Sequence, residues 1–116
     1  MPSRSPAFPP GSRSHYLREA MKLKDQLLDK LRSAKPMLWA KYPIRSLALF
    51  GSVSRGEETL GSDVDVLVEF SQPVGMQFIR LAEELQALLG RKVDLVSRGG
   101  IKPGYYEAIR EDLIDV

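Results

Sequence analysis

Apolar positions recur at two different periods along this chain. From about Tyr16 to Arg32 they follow the 3.6-residue period of a helix, with Leu17, Ala20, Met21, Leu27, Leu28 and Leu31 close to one stripe. A second short helix is predicted over "PMLWAKY". Pro36 would sit in its first turn, where a missing N–H costs least, and Pro43 would end it. The period then shortens. "RSLALF" reads as a buried strand stopped by Gly51. "DVDVLVEF" reads as a second strand, with Val64, Val66, Val68 and Phe70 on one face and Asp63, Asp65, Leu67 and Glu69 on the other. After the loop "SQPVG", the segment "MQFIRLAEELQALLG" returns to the helical period. Phe78, Ile79, Ala82, Leu85, Leu88 and Leu89 are expected inward, and Gly90 is its stop. "KVDLVS" predicts a third strand, "SRGGIKPG" a loop and "YYEAIREDLI" a final helix, in which Tyr105 and Tyr106 read as packing residues. Few strands among several helices predict an α/β (α+β) fold, a small sheet with helices mainly on one face.

The 116 residues bound this to one domain with a single core. "MPSRSPAFPPGSRS", residues 1–14, is rich in proline and poor in periodic apolar residues, so a disordered extension is expected ahead of a domain over 15–116. No apolar run approaches the roughly 18 residues of a membrane span, and the basic start has no apolar segment of a secretory signal. With no cysteine there is neither a disulfide framework nor a thiolate metal site, and a cytoplasmic protein is expected. The net charge of +2 is unevenly placed: residues 25–116 carry 12 basic against 14 acidic side chains, so the excess belongs to the first 24 residues. A body without a basic face argues against direct nucleic-acid binding.

Two features carry chemistry. Gly51-Ser52 follows a strand directly, and glycine there lets backbone approach a ligand while a hydroxyl and N–H groups suit phosphate. After ten intervening residues the second strand opens with Asp63-Val64-Asp65, whose carboxylates point the same way and repel by about 4 kcal/mol at 4 Å and an effective dielectric of 20. An isolated D-x-D is most simply a solvated strand edge. Here the strand is strongly apolar, a neighbouring strand would return the pair to the Gly-Ser turn, and Asp94 in "VDLVS" offers a third carboxylate. Oxygen-only ligands without His or Cys point to Mg²⁺ or Mn²⁺, and carboxylates beside a phosphate cradle suggest two-metal phosphoryl or nucleotidyl transfer. Arg55 divides between phosphate contact and pairing with Glu57 or Glu58; Ser62 divides between a turn hydroxyl and a nucleotide contact. His15, the one histidine, lies beside the tail and is not expected to act.

"LFGSVSRGEETLGSDVDVLVEF" resembles the signature of the polymerase β-like nucleotidyltransferase superfamily, an apolar residue, Gly and Gly/Ser, then two alternating carboxylates after nine to thirteen residues. Within it the chain is similar to the minimal nucleotidyltransferases, the MntA-type antitoxins, from about Met21 to the closing "REDLIDV". It departs at Ser54, where relatives often carry alanine, and at Asp115, where many have an aromatic residue. The resemblance implies a mixed sheet of three to four strands flanked by helices. It implies two Mg²⁺ ions held by Asp63, Asp65 and Asp94, with Asp94 also helping to deprotonate the acceptor, and ATP bound at Gly51 and Ser52. It further implies transfer of AMP to a protein hydroxyl, a tyrosine of a HEPN-domain toxin partner, as the antitoxin of a type VII toxin–antitoxin system. A non-catalytic antitoxin that binds its toxin and a small-molecule nucleotidyltransferase are the alternatives. Within these 116 residues the extra domains with which polymerases grip primers are not expected.

Overall fold

In the computed structural model the described residues are 22–57 and 63–116. Helix α1 (Leu23–Lys41) leads into strand β1 (Ile44–Phe50), a one-turn helix α2 (Gly51–Ser54) and strand β2 (Val64–Phe70). Helix α3 (Met76–Leu89), strand β3 (Val93–Ser97), a 3-10 turn (Arg98–Gly100) and helix α4 (Pro103–Ile109) follow. A second 3-10 turn (Arg110–Asp112) and a short strand β4 (Ile114–Asp115) close the chain. The four strands form one sheet in the order β3-β2-β1-β4. β1 runs antiparallel to both β2 and β4, while β2 and β3 are parallel, so the sheet is mixed as expected.

The two faces of the sheet differ as the period-two pattern predicts. Leu47 and Leu49 pair with Val68 and Val66, and with Val64 they form an apolar face that excludes water completely or nearly so. α1 and α3 cover it. Leu27, Leu28, Leu31 and Leu38 reach down from α1, and Leu81, Leu85 and Leu89 from α3. The other face carries Ala48, Phe50, Asp65 and Leu67.

Expectations are corrected at several points. The final helix predicted over "YYEAIREDLI" ends at Ile109; Arg110–Asp112 tighten into a 3-10 turn, and Ile114 extends because it pairs with Leu49 of β1. Pro36 does not start a second helix; it stands inside a single helix of 19 residues. A proline there removes the hydrogen bond to the carbonyl of Arg32, at a cost of about 3 kcal/mol. Leu31 and Leu38 flank it seven positions apart on one stripe, both without solvent exposure, and their burial offsets the loss. Arg32 and Pro36 lie on the exposed side, where water can take the freed carbonyl. The helix ends where Tyr42 turns extended ahead of Pro43. In α3, Ile79 is not inward but 49% exposed, whereas Leu81 is completely buried. At 100° per residue these two positions lie 200° apart, so they cannot share a face. Gly90 ends α3 as predicted, with φ +67° in the left-handed region and its N–H on the Gln86 carbonyl at 2.8 Å. The helix predicted over residues 16–32 starts at Leu23, since Lys22 is extended with ψ 152° and stands ahead of the first turn; the expected 1–14 extension, His15 and residues 16–21 lie outside the described residues.

Candidate active site

The turn after β1 is set by local geometry. Gly51 has φ +79°, which favours glycine, and it starts a single helical turn. The Arg55 N–H bonds the Gly51 carbonyl at 3.2 Å, Gly56 bonds Val53 at 3.0 Å, and Glu57 bonds Ser52 at 2.9 Å. Antiparallel pairing brings Asp65 opposite Phe50, the residue before Gly51. A Cβ on Gly51 would collide with Asp65 Oδ2 and stand 3.1 Å from its Cγ. The glycine is therefore required twice, by its backbone angle and by the carboxylate pressed against it.

Parallel pairing places Asp94 of β3 directly beside Asp65 of β2, with Val93 beside Val64 and Leu95 beside Val66 on the opposite face. Asp63 stands exposed at the entrance to β2. Burial pushes the Asp65 carboxyl above its ordinary range; the negative charges of Asp94 and Asp63 push the same way, and Arg55 pulls it back. The structure thus brings Gly51, Asp65, Asp94 and Asp63 to one end of the sheet face that carries Ala48, Phe50 and Leu67. Among the described residues no three acidic or histidine side chains are gathered tightly enough to grip an ion as they stand. The donor set still suits a hard divalent cation: oxygen ligands, and a half-buried carboxylate crowded by two others with the Arg55 guanidinium partly balancing them.

The remaining candidates divide. Ser52 lies half-buried in the turn. Arg55 donates from Nε to Glu57 at 3.1 Å and from Nη1 to Asp112 at 2.7 Å. Its partner Asp112 was not singled out from the sequence. The two residues are 57 positions apart, and only the folding of the C-terminal segment back to the turn joins them. Ser62 lies outside the described residues. Tyr105 sets its ring edge-on to Phe50 at 6.4 Å between centroids, and Arg98 stacks on Tyr106 at 3.7 Å. A groove of ≈ 970 Å³ opens among Phe70, Val74, Phe78, Arg98 and Tyr106, at the far ends of β2 and β3. None of the three aspartates lines it. Phe70 is five residues beyond Asp65, about 16 Å along a strand, so the groove is a separate feature.

This sheet, with carboxylates crossing from strand to strand beside a glycine turn, is the frame of a nucleotidyltransferase. The chain belongs to that family: residues 24–116 match the model of the nucleotidyltransferase domain. A candidate protein adenylyltransferase of Methanocaldococcus jannaschii is 47% identical over 98 residues, covering 83% of this chain and all of the relative. The protein adenylyltransferase MntA of Thermococcus cleftensis is 37% identical over 98 residues, covering 84% of this chain and 99% of that one. A solved structure of a candidate minimal nucleotidyltransferase superposes with a TM-score of 0.69 at 35% identity, covering 84% of this chain and 98% of that one. A toxin–antitoxin structure with AMP-PNP shares the fold at a TM-score of 0.59 and 22% identity, over 79% of this chain and 70% of that one. The family and fold expected from the signature are therefore borne out, and the protein is a nucleotidyltransferase.

Proposed function

We propose that this protein transfers AMP from ATP to a hydroxyl of a partner protein, a tyrosine of a HEPN-domain toxin, and so acts as an antitoxin. The observation that carries the reading is the register of Asp65 against Asp94 beside a glycine with no room for a side chain. The relatives named protein adenylyltransferases support the protein acceptor, and the toxin–antitoxin neighbour supports the partner class.

Gly51 and Ser52 meet the triphosphate, and Asp63, Asp65 and Asp94 would hold two Mg²⁺ ions. Such ions, when bound, offset the repulsion among the carboxylates and neutralise charge at the transferring phosphorus. Asp94 is exposed, and its neighbour Asp65 is half-buried; that exposure leaves Asp94 open to an incoming hydroxyl. The acceptor oxygen bonds to the α-phosphorus, its proton passes to the Asp94 carboxylate, and the bond from the α-phosphorus to the bridging oxygen breaks. Pyrophosphate leaves with that electron pair.

The test incubates the purified protein with ATP, Mg²⁺ and its HEPN partner and weighs the partner by intact mass spectrometry. One or more added AMP units are expected, and none with Asp63→Ala or Asp65→Ala. Transfer that survives both substitutions refutes the site. A double aspartate variant that still protects cells from the toxin favours neutralisation by binding alone.

A further inference from the structure

The C-terminal 3-10 turn returns to the one-turn helix α2 and holds it at two points, both through one residue. The Ser54 hydroxyl donates to the main-chain oxygen of Asp112, and Arg55 Nη1 donates to its carboxylate at 2.7 Å. Ser54 is the buried polar side chain among the described residues, so its bond is partly shielded from water. The same segment is also registered on β1. Ile114 pairs with Leu49, Asp115 with Ala48, and the Val116 N–H bonds the Leu47 carbonyl at 2.9 Å. Asp112 is thus fixed relative to the strand that delivers Gly51. A four-residue helix cannot hold its own shape, since nucleating a turn is unfavourable without outside contacts.

We infer that Arg55 joins the Gly51–Ser54 turn in meeting the triphosphate and that Asp112 is its positioning residue: the Asp112 carboxylate aims the guanidinium, and the Asp112 main-chain oxygen steadies the turn through Ser54. The inference rests on the nucleotidyl-transfer reading above. It assigns a role within that site to a residue far away in sequence, and it makes the C-terminal turn part of the nucleotide site. Magnitudes decide where the effect appears. The Arg55 side chain is 44% exposed, and ion pairs so open to solvent add little to stability. A guanidinium–carboxylate bond is nevertheless strongly directional. Breaking it should therefore change nucleotide binding far more than melting.

The experiment measures MgATP affinity by calorimetry and steady-state AMP transfer, with melting temperatures, for wild type, Asp112→Ala, Asp112→Asn, Asp112→Glu, Arg55→Ala and the Asp112→Ala/Arg55→Ala double variant. Asp112→Ala should raise Kd and KM for ATP about tenfold with kcat essentially unchanged. The double variant should bind no worse than Arg55→Ala alone, because both changes remove one coupled unit. Asp112→Glu should recover part of the loss. If Asp112→Ala melts too low to assay, Asp112→Asn supplies the same comparison, since it keeps the shape and removes the charge. Unchanged affinity, tighter ATP binding or additive losses would overturn the inference while leaving the enzyme reading intact. A wild type that binds no ATP overturns both.

Discussion

Two carboxylates on opposite sides of the sheet have opposite fates. Glu84 sits on the helical side, where its oxygens accept hydrogen bonds from Lys41 Nζ at 2.9 Å and from the Tyr42 hydroxyl at 2.8 Å. These partners hold its carboxyl below the usual range. Asp65 sits on the opposite side, where burial and the charges of Asp94 and Asp63 drive its carboxyl above that range. The first carboxylate is completed by its own chain. The second is crowded by like charges, with Arg55 shifting it back among the described residues. A charge left uncompensated on a rigid strand marks a place where charge arrives from outside, and that is the physical signature of the candidate site.

The largest effect expected is at Asp65. Asp65→Asn should lower AMP transfer by about 1000-fold, some 4 kcal/mol of transition-state stabilisation, while the ligand-free protein melts a few degrees higher at pH 7. The sign follows from the raised carboxyl. The folded state holds this proton more tightly than the unfolded state, so stability falls as pH rises through the folded value, and removing the charge removes the loss. The gain should fade as pH drops below the ordinary carboxylate range. Glu84→Gln should behave in the opposite sense, with the variant less stable at neutral pH. The stability that Glu84 gives is present above its unfolded value and is lost as pH falls through the depressed folded one. Calorimetric melts of both variants across pH 3 to 8 check the pair (about the span in which carboxyls titrate). Equal signs would break the contrast.

A middle-sized effect separates packing from exposure on the helical side, and it bears on what sequence alone discloses. Leu81→Ala should cost about 2–5 kcal/mol and Ile79→Ala less than about 0.5, read from denaturant midpoints. The strand face of Val64, Val66 and Val68 and the D-x-D opposite were legible because a period of two leaves one choice of face. Asp94 was legible for the same reason. The helix face was less so: α3 has apolar residues at 76, 78, 79, 81, 82, 85, 87, 88 and 89, more than one stripe holds, and only the sheet decides that Leu81 is covered and Ile79 is not. Pro36 reads as a break from its chemistry alone, yet the buried leucines on either side carry the helix through it. β4 is two residues long, and no periodicity can signal it. Asp112 meets Arg55 only because β4 and the turn before it fold back on β1.

The smallest effect tests whether the two sides are independent. The Tyr42 hydroxyl is pushed up to about 12, first by burial and then by the hydrogen bond it gives Glu84. Tyr42→Phe removes that bond and leaves Glu84 with Lys41, at a cost of about 1 kcal/mol near neutral pH. For wild type, the share of stability owed to the protonated phenol is fully present below its ordinary value of 10.0 and is lost as pH rises from there to about 12. The phenylalanine variant has no such titration, so the gap between the two melting curves should narrow across that interval. Transfer of AMP at pH 7 should be unchanged, because Tyr42 packs with the helices and Asp65 faces away from them. A variant that melts as expected and also loses transfer would show that the helical side sets the geometry of the Asp65 side, and the two carboxylates could no longer be treated as separate designs.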